Sequence, residues 1–171
     1  MSKALNVAVC QINPTLGNFQ KNIDIISKNY KYAVEKGADL VVFPEMSITG
    51  YPPQDLLNNK EFISQNISCL NKLAKLITIP CILGYTDFED NKKFNAAAVC
   101  QDGEIVYKYH KIHLPNYDVF DERRYFHSGD SVGIFDLKVN NSDYKIALQI
   151  CEDLWEDEYE RKISGEIIEN S

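Results

Sequence analysis

Asp39-Leu-Val-Val-Phe43 is the segment that most narrows the folds open to this chain. Four consecutive apolar residues stopped by Pro44 are too few for a helix, and they leave no polar face for water. Such a strand has to lie inside a sheet with a layer packed on each side. The neighbouring segments supply those layers. Leu5–Ile12 alternates as a first strand, closed by Asn13-Pro14 and Gly17. Asn18 is placed as the N-cap of a helix running to Lys36. Its apolar stripe is Phe19, Ile23, Ile26, Tyr30 and Ala33 or Val34, with Gly37 as the C′ residue.

The pattern then repeats. A second helix is predicted over Lys60–Ile77, with Ile63, Ile67, Leu70, Ala74 and Ile77 on one stripe, and Cys81–Thr86 is the next strand. Phe94–Cys100 and Glu104–Tyr109 form a hairpin about Asp102-Gly103, and Val132–Val139 and Tyr144–Ile150 a second about Asn140-Asn141. Residues 110–130 are polar and aromatic without periodicity, long enough for a functional loop. Strand–helix–strand–helix followed by hairpins makes this an α/β chain, with a mixed sheet carrying two helices on one face. The other face is apolar too and needs its own cover.

At 171 residues the chain fits one domain, long enough to bury ~70% of the surface its unfolded form exposes. The net charge of −7 argues against a nucleic-acid partner, which requires a basic face. Residues 152–171 hold eight acids against two bases, so six of those seven charges sit in the last twenty residues. No apolar run is long enough to cross a membrane, and the first residues form no signal peptide. The five cysteines are odd in number, widely spaced and without a Cys-x-x-Cys, which reads as reduced thiols of a cytoplasmic protein.

Three ionisable residues follow directly on predicted strands: Glu45 after Phe43, Lys111 after Tyr109, and Cys151 after Ile150. Where such strands run parallel, their carboxyl ends share one edge, the usual ligand site of open α/β sheets. An acid, an amine and a thiol meeting there suit acyl transfer. Glu45 takes the thiol proton and later passes it to a leaving amine. Lys111 lowers the thiol below its free value of ~8.5 and holds the oxyanion, with the N–H of Glu152 as second donor. Glu152 and Asp153 after the strand suit the first turn of a helix. Each residue also has an ordinary reading: Cys151 as a small buried filler, Glu45 and Lys111 as solvated charges. His110, His113 and His127 offer a Cys–His alternative without an orienting partner, and His110-x-x-His113 lacks further metal ligands. Trp155 reads as a packing anchor, and Arg123-Arg124 as a solvated loop pair.

Phe43-Pro-Glu-Met-Ser-Ile-Thr-Gly-Tyr51, Lys111-Ile-His-Leu-Pro115 and Cys151-Glu-Asp-Leu-Trp155 resemble, in order, the three motifs of the nitrilase-like carbon–nitrogen hydrolases. The resemblance implies an αββα sandwich and a Glu–Lys–Cys triad at Glu45, Lys111 and Cys151. Tyr51-Pro-Pro-Gln-Asp-Leu-Leu57 and Leu114-Pro-Asn-Tyr-Asp-Val-Phe-Asp-Glu-Arg-Arg-Tyr-Phe126 are similar to the glutaminase domains of glutamine-dependent NAD synthetases. That likeness implies hydrolysis of the glutamine side-chain amide through a thioester. It makes Tyr117 a glutamine contact and Glu122 a supporting glutamate beside Lys111. No metal or cofactor is implied for this step, since ATP and Mg would belong to a synthetase domain that the sequence lacks.

The resemblance covers residues 1–158 as the N-terminal part of the hydrolase domain. Residues 159–171 form an acidic tail unlike the family, and the sandwich is incomplete at the C-terminus by on the order of a hundred residues. The expectations left open are a truncated remnant, a split enzyme completed by a second chain, a homo-oligomer, a non-catalytic fragment, and a hydrolase of another small amide or carbamoyl compound.

Overall fold

The computed structural model describes residues 4–155. Its larger sheet has the order β1-β2-β3-β4-β5, with β1 Val7–Val9, β2 Leu40–Val42, β3 Cys81–Glu89, β4 Lys92–Gln101 and β5 Glu104–His110. β1, β2 and β3 run parallel, and β4 is antiparallel to β3 and to β5. β5 therefore points the same way as β2. The second sheet is the hairpin of β6 Gly133–Val139 and β7 Ser142–Leu148.

Period-two alternation sorts the central strands between two cores. Cys81, Leu83 and Tyr85 of β3 and Ala96, Ala98 and Cys100 of β4 pack toward the helices α1 (Phe19–Glu35) and α2 (Lys60–Ala74). Ile26, Tyr30 and Ala33 of α1 and Leu70, Leu73 and Ala74 of α2 meet them. Ile82, Ala97 and Val99 face the opposite way, against Phe135, Leu137 and Val139 of β6 and Leu148. The described residues thus form helix, sheet and sheet layers of the expected sandwich. No outer helical layer lies on β6–β7 among them.

Asn18 caps α1, its side chain accepting from Lys21 N at 3.2 Å, and Gly37 has φ 78°, as a C′ glycine should. Asn59 caps α2 by accepting from Glu61 N at 2.8 Å. α2 stops at Ala74, three residues before its predicted end. At both expected hairpins the two turn residues have positive φ: Asp102 and Gly103, Asn140 and Asn141.

A third such turn at Asp90-Asn91 extends β3 and β4 beyond their predicted limits, since a polar hairpin end carries no apolar alternation to mark it. β1 is shorter than Leu5–Ile12 because β2, its partner among the described residues, is three residues long. It lies at the sheet edge, and Val7 and Val9 are exposed. The expected change of character after residue 158 lies outside the described residues.

Candidate active site

β2 and β5 end at the same edge of the larger sheet, delivering Glu45 and Lys111 to one place. Glu45 sits in a turn laid directly on β3. Ser47 Oγ and Ile48 N both donate to the carbonyl of Gly84, at 3.1 and 3.2 Å. A Cβ on Gly84 would lie 2.4 Å from Met46 N and Pro44 O, so only glycine admits this contact.

Lys111 is fully buried. Its ammonium donates to Glu45 Oε1 at 2.9 Å and to Glu122 Oε1 at 3.0 Å. Burial alone would pull the lysine down, but the two carboxylates outweigh it and hold its pKa above the ordinary value. Glu122, also buried, is pushed up by burial and by Glu45, and Lys111 only partly offsets this.

Asn95 was not singled out in the sequence, yet it braces both carboxylates. Its Nδ2 donates to Glu45 Oε1 at 2.6 Å and approaches Glu122 Oε2 at 3.5 Å. Its backbone carbonyl accepts from Lys111 N at 2.8 Å. The available signal was one amide inside the apolar run Phe94–Cys100. Tyr51 Oη, donating to Glu122 Oε1 at 2.9 Å, completes the shell.

Cys151 reaches the same place from the second sheet rather than from a third strand of the first. It stands three residues past Leu148, in a single 3-10 turn, Cys151–Leu154, and not at the head of a helix. Its φ of 49° is left-handed, a conformation costing a non-glycine residue about 1 kcal/mol or more. The thiol is exposed, the four other free cysteines being buried or half-buried.

The expectation that Lys111 brings this thiol below its free value is corrected. Burial pushes it up, the carboxylates of Glu45, Glu122 and Glu152 push the same way, and Lys111 alone pulls it down. One ammonium already shared by two carboxylates leaves a negative balance around the sulfur.

Glu152 accepts from Tyr117 Oη at 2.8 Å, so two further predicted residues come together beside Cys151. They line a cleft with Ile112, His113, Leu114, Pro115, Asn116, Arg123, Phe126 and Ser128. Trp155 is no packing anchor: it is 77% exposed. Arg123 is not merely solvated, since its Nε donates to Leu114 O at 3.2 Å.

Asp87, Glu89 and His110 bring potential metal-ligand atoms within 4.8 Å of one another. The Lys108 ammonium already lies 3.0 Å from Asp87 there, and His110 Nε2 is at the same distance. That cluster is an ion-pair network on the β3–β5 surface.

A carboxylate–lysine pair at one sheet edge and a strained cysteine turn from a second sheet make up the Glu–Lys–Cys set that the resemblance to the nitrilase-like carbon–nitrogen hydrolases implies. Residues 6–169 match the carbon-nitrogen hydrolase family, and the chain belongs to it. Among individual proteins, it is 42% identical over 156 residues to a glutamine-dependent NAD(+) synthetase of Thermotoga maritima, covering 90% of this chain and 26% of that protein. The protein of the same name from Acinetobacter baylyi is 34% identical, with 90% and 28% covered.

The solved glutamine-dependent NAD+ synthetase of Acinetobacter baumannii, in complex with ADP, superposes with a TM-score of 0.89 at 32% identity, over 96% of this chain and 31% of that one. An amidase from Nesterenkonia sp. shares the fold, with a TM-score of 0.76 at 23% identity, over 91% of this chain and 58% of that one. The chain spans about a quarter of the length of the curated synthetases it matches.

Proposed function

We propose that this chain carries the thiol centre of a glutaminase, hydrolysing the glutamine side-chain amide to glutamate and ammonia as the ammonia-supplying part of glutamine-dependent NAD synthesis. The observation that carries the reading is the buried Lys111 ammonium held between Glu45 and Glu122, within electrostatic reach of the exposed Cys151. The synthetases at 34–42% identity support glutamine as the amide.

The raised thiol makes Glu45 a general base rather than a spectator. Glu45 removes the Sγ proton as sulfur attacks the amide carbon. Two of the three N–H bonds of Lys111 go to carboxylates, and the third is assigned to the oxyanion. Glu45 then returns the proton to the departing nitrogen, the C–N bond breaks, and ammonia leaves a glutamyl thioester. Water, deprotonated by Glu45, attacks that carbonyl; the C–S bond breaks and the thiol regains its proton.

Glu122 keeps Lys111 charged and aimed. Tyr117 and Glu152 offer a hydroxyl and a carboxylate to the α-ammonium of glutamine. This step needs no cofactor; ATP and Mg are assigned to a synthetase domain, and the ammonia passes to that domain or to a complementing chain. The hydrolase part is assigned to residues 1–158, and the free thiols fit a cytoplasmic setting. Among the described residues no helix is long and apolar enough to cross a membrane.

Iodoacetamide labelling mapped to each cysteine tests this. Cys151 is expected to label first, Lys111→Ala to slow it, and glutamine to protect it where asparagine does not. Labelling of Cys151 that ignores both Lys111 and glutamine would sink the proposal.

A further inference from the structure

The two segments that meet at the site, residues 109–113 and 150–153, are tied by one side chain that the chemistry above does not use. Asp153 is fully buried. Its Oδ2 accepts from Tyr109 Oη at 2.7 Å and from Ile150 N at 3.0 Å. Its Oδ1 accepts from Ile112 N at 3.1 Å and His113 N at 2.8 Å. Three of these four donors flank Lys111, and the fourth immediately precedes Cys151.

Asp153 N also donates to Ile150 O at 3.1 Å, closing the turn that holds Cys151 at positive φ. A strained residue persists only where its surroundings over-determine it, and here a fully satisfied buried carboxylate does so.

We infer that Asp153 is a positioning residue that fixes the Cys151 sulfur against the Lys111 ammonium, an inference that rests on the proposed glutaminase centre. The required chemistry is specific to an acceptor-only group. A carboxylate presents two oxygens to four donors, whereas the amide of Asp153→Asn must turn an NH2 toward one donor pair. Asp153→Glu keeps the acceptors at a longer reach.

The test is whether Cys151 still feels Lys111. Mass-mapped iodoacetamide rates give the pH midpoint of the Cys151 thiol with and without Lys111→Ala, in the otherwise native chain and in Asp153→Asn. Removing Lys111 is expected to raise the native midpoint. In Asp153→Asn the rise is expected to shrink to less than half, and Asp153→Glu to restore most of it.

A full rise retained in folded Asp153→Asn overturns this inference and leaves the glutaminase reading standing. No rise in the otherwise native chain overturns both. Should circular dichroism show Asp153→Asn unfolded, Tyr109→Phe, which removes the 2.7 Å bond to Asp153, decides instead: a reduced rise supports the positioning role and an unchanged one refutes it.

Discussion

Replacing Lys111 by methionine removes the buried charge while keeping the side chain's length. Glu45 and Glu122 are then left facing each other. Their accepting oxygens, 2.9 and 3.0 Å from one nitrogen, cannot be more than about 6 Å apart. At that separation and an effective dielectric of about 20, the repulsion is about 3 kcal/mol. The alternative is to protonate one carboxylate. From an ordinary value near 4.3 that costs about 4 kcal/mol at pH 7 and about 1 kcal/mol at pH 5.

The cheaper route prevails at each pH, so the variant should lose about 3 kcal/mol at pH 7, within the range for breaking a buried pair, and about 1 kcal/mol at pH 5. The sign follows from linkage: in the variant a carboxylate titrates higher folded than unfolded. The stability is therefore present below the unfolded pKa and lost as pH rises through the folded one. Urea titrations of both proteins at the two pH values, read by circular dichroism, measure it. A loss under about 1 kcal/mol at pH 7, or an equal loss at both, would refute the clamped arrangement.

Two further outcomes follow from the same geometry. Gly84→Ala forces a Cβ to 2.4 Å from the backbone carrying Glu45; it should cost about 2 kcal/mol or more, lower Tm by about 4–8 °C, and slow glutamine-dependent ammonia release. An unchanged melting curve would contradict the close approach. Asp87 is raised by burial, but His110, Lys108 and Tyr85 outweigh this and hold it well below the carboxylate range. Its contribution is present above the ordinary value of 3.8 and lost as pH falls toward the folded one. Asp87→Asn should therefore destabilise by about 2–3 kcal/mol at pH 7, and the gap to wild type should narrow below pH 3 in denaturant titrations.

The raised Cys151 thiol bears on the proposed mechanism. A thiolate stabilised in advance needs no base, whereas a thiol held up by burial and three carboxylates needs one at the moment of attack. Glu45 is hydrogen-bonded to Lys111 and Asn95 and remains 23% exposed at its side chain. In the mechanism proposed above, that exposure gives the carboxylate access to substrate and water. The sequence shows an acid, an amine and a thiol, but the sign of their combined field depends on Glu122 and Glu152 arriving as well.

The amino-acid order alone determined the elements and their faces. Local signals are enough for that: Asn18 caps a helix through its own side chain, Asp102-Gly103 and Asn140-Asn141 turn hairpins, and the apolar Leu40–Phe43 run requires cover on both sides. It also marked Glu45, Lys111 and Cys151, through the elements they follow and through a family resemblance.

What only the tertiary structure decided are the residues that hold these groups in place: Asn95 beneath two carboxylates, Gly84 under the Glu45 turn, Asp153 between two segments, and Tyr117 on Glu152. Each acts across a gap of tens of residues, and periodicity carries no information about which side chains meet at such separations. The same reason makes the thiol's raised pKa unreadable from the chain: it is a sum of burial and neighbouring charges, and those exist only once the two sheets have packed.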